Sequence, residues 1–264
     1  MLGAMLGAGP VLALTPKNAP PPSFDAHALA AELTSGDADR TLLALERARA
    51  AGKNAAAVAP VVDRILARGA TAAIAKAAIV AAGELGQPAS APIVRPYVRH
   101  RDAELRRVAV AALLKLKGKD AIAALREALA DADPRVRGIA ASGLGSLGAR
   151  DALADLSAAL DRKVYEAAAA IATLCAGAEC DAFEAHVGKI PLDVMTSGFD
   201  AILFRSDVAE DHKAKLVVRI RDLGTAEANK YLRDVLSRWT GSARIKTALE
   251  EAIAATRSAP GGSP

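Results

Sequence analysis

The chain has 264 residues, of which 52% are apolar and only 3% aromatic. Lys plus Arg number 34 and Asp plus Glu 30, a net charge of +4. So small an excess disfavours the concentrated positive face of a duplex binder, and so few aromatics disfavour a stacking platform for single strands. The interior must therefore be aliphatic. Alanine is abundant, which favours helix and close helix approach. Runs of β-branched residues bounded by turn residues are missing. The expected fold class is all-α.

Residues 1–14 are small and apolar, and Val11-Leu12-Ala13 resembles a small-residue cleavage site. No charged n-region precedes it, so the segment reads as the end of an export signal, with a Pro-rich linker at 17–23. The expected location is periplasmic or secreted, with the cytoplasm as the alternative. Segment 1–22 thus stands apart from a folded region at 23–257 and a flexible tail at 258–264. No stretch is long and apolar enough to span a bilayer.

Within the folded region, Ser23 is the expected cap of a short helix reaching Leu33. Helices at 41–51 and 55–67 form a degenerate first hairpin, and helices at 72–85 and 89–99 form the next. The clearest repeat spans 102–160. Leu105 aligns with Val136, Arg106 with Arg137, Leu113 with Leu144 and Asp120 with Asp151, always 31 residues apart. A fixed period of this size signals stacked antiparallel helical hairpins, an α-solenoid, here of six or seven hairpins. Leu85, Leu116 and Leu147 close successive first helices. Val94, Leu125 and Leu156 align along the second helices, as do Val98, Leu129 and Leu160, so one stripe faces inward. Small residues Ala78, Ala109 and Ala140 suit close packing within hairpins. Asp133-Pro134 is a strong helix start.

After Leu160 the register slips. Helices are expected at 164–174, 182–187 and 193–204. Asp207 and Glu210 have capping-box spacing and should open another, ending at Leu223. Helices at 228–236 and 244–257 complete the chain.

The run Asp133-Pro134-x-Val136-Arg137, with Ala140, Ala141, Leu144, Leu147, Gly148, Asp151 and Ala152, resembles the bacterial HEAT-like repeat, the type also seen in phycobilin lyases. The resemblance is strongest over 102–160 and fades elsewhere. It implies a ladder between repeats built from the Asp at each repeat start and the Arg four residues on. The matching positions are Asp102 with Arg106 and Asp133 with Arg137. It also implies that second helices line the concave side.

Catalytic arrangements known in such folds find no match here. Iron-binding members use His-Glu pairs, whereas His27, His100, His186 and His212 are followed by Ala28, Arg101, Val187 and Lys213. The four histidines read as separate surface or rim residues, and neither a metal site nor a cofactor is expected. Trp239 reads as a packing residue at a helix end. Cys175 and Cys180 flank a hairpin turn, so a disulfide between them is sterically reasonable, two buried thiols being the alternative.

Arg95, Arg126 and Arg233 share one phase of the second helices, and Arg99 lies one turn beyond Arg95. Together they form the candidate binding residues, a discontinuous basic stripe. The leading functional expectation is a non-catalytic scaffold that binds a protein partner, an acidic one, through the concave face. The alternatives are a nucleic-acid or polyanion binder using the same arginines, and an accessory or lyase-like protein. A shared repeat type does not by itself carry a function.

Overall fold

The computed structural model describes residues 25–257. Segment 1–22, the Ser23 cap and the 258–264 tail lie outside the described residues. The first described cap is Asp25, whose carboxylate accepts from the amides of His27 and Ala28, both at 2.9 Å. It starts α1 (Ala26–Leu33). Asp37 caps α2 (Ala38–Ala51) through the Arg40 amide. A 3-10 stretch (Gly52–Val58) then leads into α3 (Ala59–Arg68).

Thr71 caps α4 (Ala72–Leu85). Its hairpin partner is not the continuous helix expected at 89–99. It is a 3-10 turn (Pro88–Ser90), one α-turn that we label α5 (Ala91–Val94), and another 3-10 stretch (Arg95–Arg99). Pro88, Pro92 and Pro96 recur every four residues. Each removes an amide donor and its ring crowds the preceding turn, so no uninterrupted α-helix can form.

The regular repeats follow. Asp102 caps α6 (Ala103–Leu116), and the turn at Lys117 leads into α7 (Gly118–Ala128). Asp133 caps α8 (Pro134–Ser146), and α9 (Leu153–Asp161) returns. Then come α10 (Ala167–Leu174), α11 (Ala178–Glu184) and α12 (Leu192–Leu203). The chain ends its described part with α13 (Glu210–Arg221), α14 (Ala226–Arg238) and α15 (Ala243–Arg257). The capping box at Asp207 does not form. Its carboxylate is held by Arg205 at 2.6–3.0 Å, and α13 starts without a side-chain cap.

Two rows of helices stack into a solenoid. α2, α4, α6, α8, α10 and α12 lie side by side in that order. Each second element packs onto the following first helix: α3 on α4, the 95–99 stretch on α6, α7 on α8, and α9 on α10. Beyond α12 the order changes, and α13 and α14 both pack on α15, which closes that end. Six hairpins are formed among the described residues: α2/α3, α4/α5, α6/α7, α8/α9, α10/α11 and α13/α14. No described helix is long and apolar enough to cross a membrane.

The core lies between the rows. Leu125 and Leu156 are fully buried with Val94, and Val98, Leu129 and Leu160 nearly so, which is the expected second-helix stripe. Ala78, Ala109 and Ala140 are also fully buried. The tightest approaches, however, join first helices of neighbouring hairpins. A Cβ placed on Gly83 would stand 2.9 Å from the Ala112 Cα, and one on Gly145 would stand 2.9 Å from the Ala170 Cα. Backbone meets backbone there, so no flexible side chain can yield. Gly145→Leu is therefore expected to cost about 3 kcal/mol through overpacking. Equilibrium urea unfolding measures it. The gain of about 1 kcal/mol usual for replacing an exposed helical glycine would show that α8 and α10 part freely.

Candidate functional site

Of the four arginines singled out in the sequence, Arg95 and Arg99 project from one second element, Arg126 from the next and Arg233 from α14, and all are at least partly exposed. The Arg95, Arg99 and Arg126 side chains are 42%, 76% and 44% exposed. The structure gives three of them partners one repeat further on. Arg95 and Arg99 straddle the two carboxylate oxygens of Glu127, Arg99 at 2.8 Å. Arg126 pairs with Asp155. Arg233 instead bonds Asn229 in its own helix at 2.7 Å. The ladder continues past Ser157, where the basic positions stop, through Arg150–Glu179 at 2.9 Å and Asp161–His186 at 3.1 Å. The face is thus a row of alternating charge rather than a purely basic stripe. Glu127 is held below the usual carboxylate range, first by the hydrogen bond from Arg95.

The acids of this row were not singled out in the sequence. The signal that could have found them is their spacing: Glu127 and Asp155 lie 32 and 29 residues after Arg95 and Arg126, about one repeat on. Exposed pairs of this kind contribute roughly 0–1 kcal/mol each. They can exchange partners at little cost, which suits a docking surface.

A second ladder runs along the loops between hairpins, with partners shifted from those expected. Arg106 does not pair with an Asp at a repeat start. It grips Asp131 through two bonds at 2.8 and 3.0 Å, while its remaining nitrogen donates to the carbonyls of His100 and Arg101. Asp133 is reached instead by Arg107, at 2.6 Å. That contact holds the Asp133 carboxyl below its ordinary range. Arg137 donates to the carbonyls of Asp131 and Ala132 at 2.7 and 3.0 Å, and Asp102 caps the Glu104 amide at 2.8 Å. The reason is angular. Neighbouring helix positions point about 100° apart, so with Arg106 fixed over its own loop, Arg107 is the side chain that faces Asp133.

The sulfurs of Cys175 and Cys180 stand at disulfide distance, with Cα atoms 5.1 Å apart across the turn between α10 and α11. Trp239 packs on Phe204 at 5.5 Å between ring centres, and its indole N–H donates to the Ser242 carbonyl. The histidines are less uniform than expected. His27 is exposed. The His186 side chain is only 23% exposed and that of His212 only 15%, and His212 meets a buried glutamate.

The HEAT-repeat family profile matches residues 96–175, the stretch holding α6 to α10. This chain carries HEAT-like repeats. The matched residues hold the strictest period, the loop ladder and part of the second-helix row. No curated protein sequence matches the chain. Among solved structures, the complex of CpcE and CpcF of phycocyanin lyase from Nostoc sp. PCC7120 is similar at 19% identity, covering 94% of this chain and 100% of that one, with a TM-score of 0.47. An engineered protein is similar at 15% identity, covering 89% and 97%, with a TM-score of 0.43. A designed armadillo repeat protein in complex with the peptide (KR)4 is similar at 14% identity, covering 87% and 98%, with a TM-score of 0.36. The HEAT-like architecture described above stands on the helices themselves and not on these likenesses.

Proposed function

We propose that this HEAT-like chain is a non-catalytic scaffold that holds an acidic protein partner against its second-helix face. The carrying observation is the row Arg95, Arg99 and Arg126 on consecutive hairpins, exposed and tied only to surface carboxylates. A partner's carboxylates can replace Glu127 and Asp155 without burying an unpaired charge. Arg233 extends the same chemistry onto α14. A net charge of only +4 speaks against a phosphate polymer, which calls for a concentrated positive face.

An oxidising compartment suits the cysteine pair, in keeping with export. The test is capture from the native cell fraction with the wild-type chain and with Arg95→Glu/Arg99→Glu/Arg126→Glu/Arg233→Glu. The variant should keep its helicity and lose the partner, at least about tenfold in affinity, for rim and interface charges lost together. Equal capture by both chains would remove this face from the interaction. N-terminal sequencing of the native chain reads the location: a start at or beyond residue 14 is the outcome expected of export, and an intact Met1 counts against it.

A further inference from the structure

The regular stack ends where α11 meets α13, and the contact there is chemically unusual. Asp181 and Glu184 stand three residues apart on α11, a spacing that puts both on one face. His212 lies in the first turn of α13 and points at them. Its Nε2 is 2.7 Å from Glu184 Oε1, and its Nδ1 is 3.6 Å from Asp181 Oδ1. One ligand atom from each of the three residues falls within 4.8 Å of the others.

Glu184 is only 1% exposed, yet neither of its carboxylate oxygens receives a hydrogen bond, and neither does His212 Nε2 make one. The nitrogen and the oxygen are thus in close contact without the geometry of a hydrogen bond. Arg219 approaches Glu184 Oε2 at 3.4 Å, again without a hydrogen bond. A buried carboxylate in this condition is costly and calls for an explanation, of which a bound ion is one. Burial, acting against His212 and Arg219, pushes the Glu184 carboxyl above its ordinary range.

We propose that Asp181, Glu184 and His212 form a binding site for a divalent transition-metal ion, joining the fifth hairpin to the last one. Ligand atoms 2.0–2.2 Å from one ion lie within roughly 4.4 Å of each other. The Asp181 side chain, 56% exposed, is free to make that small adjustment. One imidazole and two carboxylates suit a borderline ion such as Zn2+ or Mn2+, whereas Mg2+ and Ca2+ prefer all-oxygen shells. Two carboxylates against Arg219 favour a dication. With three protein ligands, at least one position stays open to water or to a partner's side chain. The site is also tied to the cysteine pair. Cys180 immediately precedes Asp181, so the bridge to Cys175 fixes the start of the helix that carries two of the three ligands.

The experiment is calorimetric titration of Zn2+ into the untagged, chelator-treated full chain. One ion per chain is expected. His212→Ala and Asp181→Asn should each weaken binding by about tenfold or more, the scale on which even supporting groups of metal sites act. His186→Ala, which removes the histidine paired to Asp161, should change nothing. Asp181 is exposed, so its variant folds whatever becomes of the buried pair. Reduction of the cysteine bridge should weaken binding in the wild-type chain. Absence of binding up to millimolar Zn2+ would overturn the proposal and leave a buried ion pair. So would stoichiometric binding that survives both ligand variants.

Discussion

Phe199→Ala is expected to lower stability by about 3–5 kcal/mol, the range for removing a large buried aromatic. Phe199 is fully buried on α12. Its ring lies 6.2 Å from that of Phe183 on α11 and 5.8 Å from that of Tyr231 on α14. In a chain that is only 3% aromatic, three rings thus meet at one point. That point replaces the regular aliphatic stacking where the helix order changes. Tyr231 also donates from its hydroxyl to Asp200 at 2.8 Å, and burial raises its pKa far above the ordinary tyrosine value. Loss of the Phe199 ring opens a cavity that the surrounding helices can only partly close. Contacts in a solenoid are between neighbours, so the damage should be local. Hydrogen exchange should quicken in α11 to α14 well before α4 to α8. A loss under about 1 kcal/mol in urea unfolding, or uniform exchange, would contradict this account.

Arg106→Ala carries the second large effect, about 2 kcal/mol, between the roughly 0–1 kcal/mol of an exposed pair and the roughly 3–5 kcal/mol of breaking a fully buried one. The side chains of Arg106 and Asp131 are 14% and 7% exposed, far more enclosed than the pairs on the second-helix row. Arg106 also satisfies two loop carbonyls, so alanine leaves both a carboxylate and backbone acceptors short of donors. Asp131 retains only the Asp133 amide among these bonds. A double-mutant cycle with Asp131→Ala isolates the pair, and a coupling near zero would reduce it to a surface contact. Arg126→Ala is the internal comparison, because its exposed pair with Asp155 should change stability by under about 1 kcal/mol.

The contrast between these two arginines marks how far the sequence could be read. The 31-residue spacing that aligned Arg106 with Arg137 put both at the same place, in the first turns of α6 and α8. It could not say that Arg106 would reach Asp131, because that choice depends on how one loop lies over the next. The second-helix arginines were found for the same reason, by phase. Their acids were missed, since pairing across repeats is a matter of distance between helices and not of position along one. His212 and Glu184 are an extreme case. They lie 28 residues apart on helices of different hairpins, with no motif joining them.

By itself the sequence determined the all-α class, the period, the buried stripe of Val94, Leu125 and Leu156, and the cap Asp133. These follow from local propensity, periodicity and hydrogen-bond chemistry within a few residues. Only the tertiary structure decided the reordering after α12, the partners in both charge ladders and the Asp181–Glu184–His212 cluster. Each of these depends on which helix faces which. That is set by backbone approach at residues such as Gly83 and Gly145 and by the aromatic contact around Phe199. The break at α5 belongs with the sequence: Pro88, Pro92 and Pro96 dictate it locally, although the apolar periodicity alone pointed to a full helix.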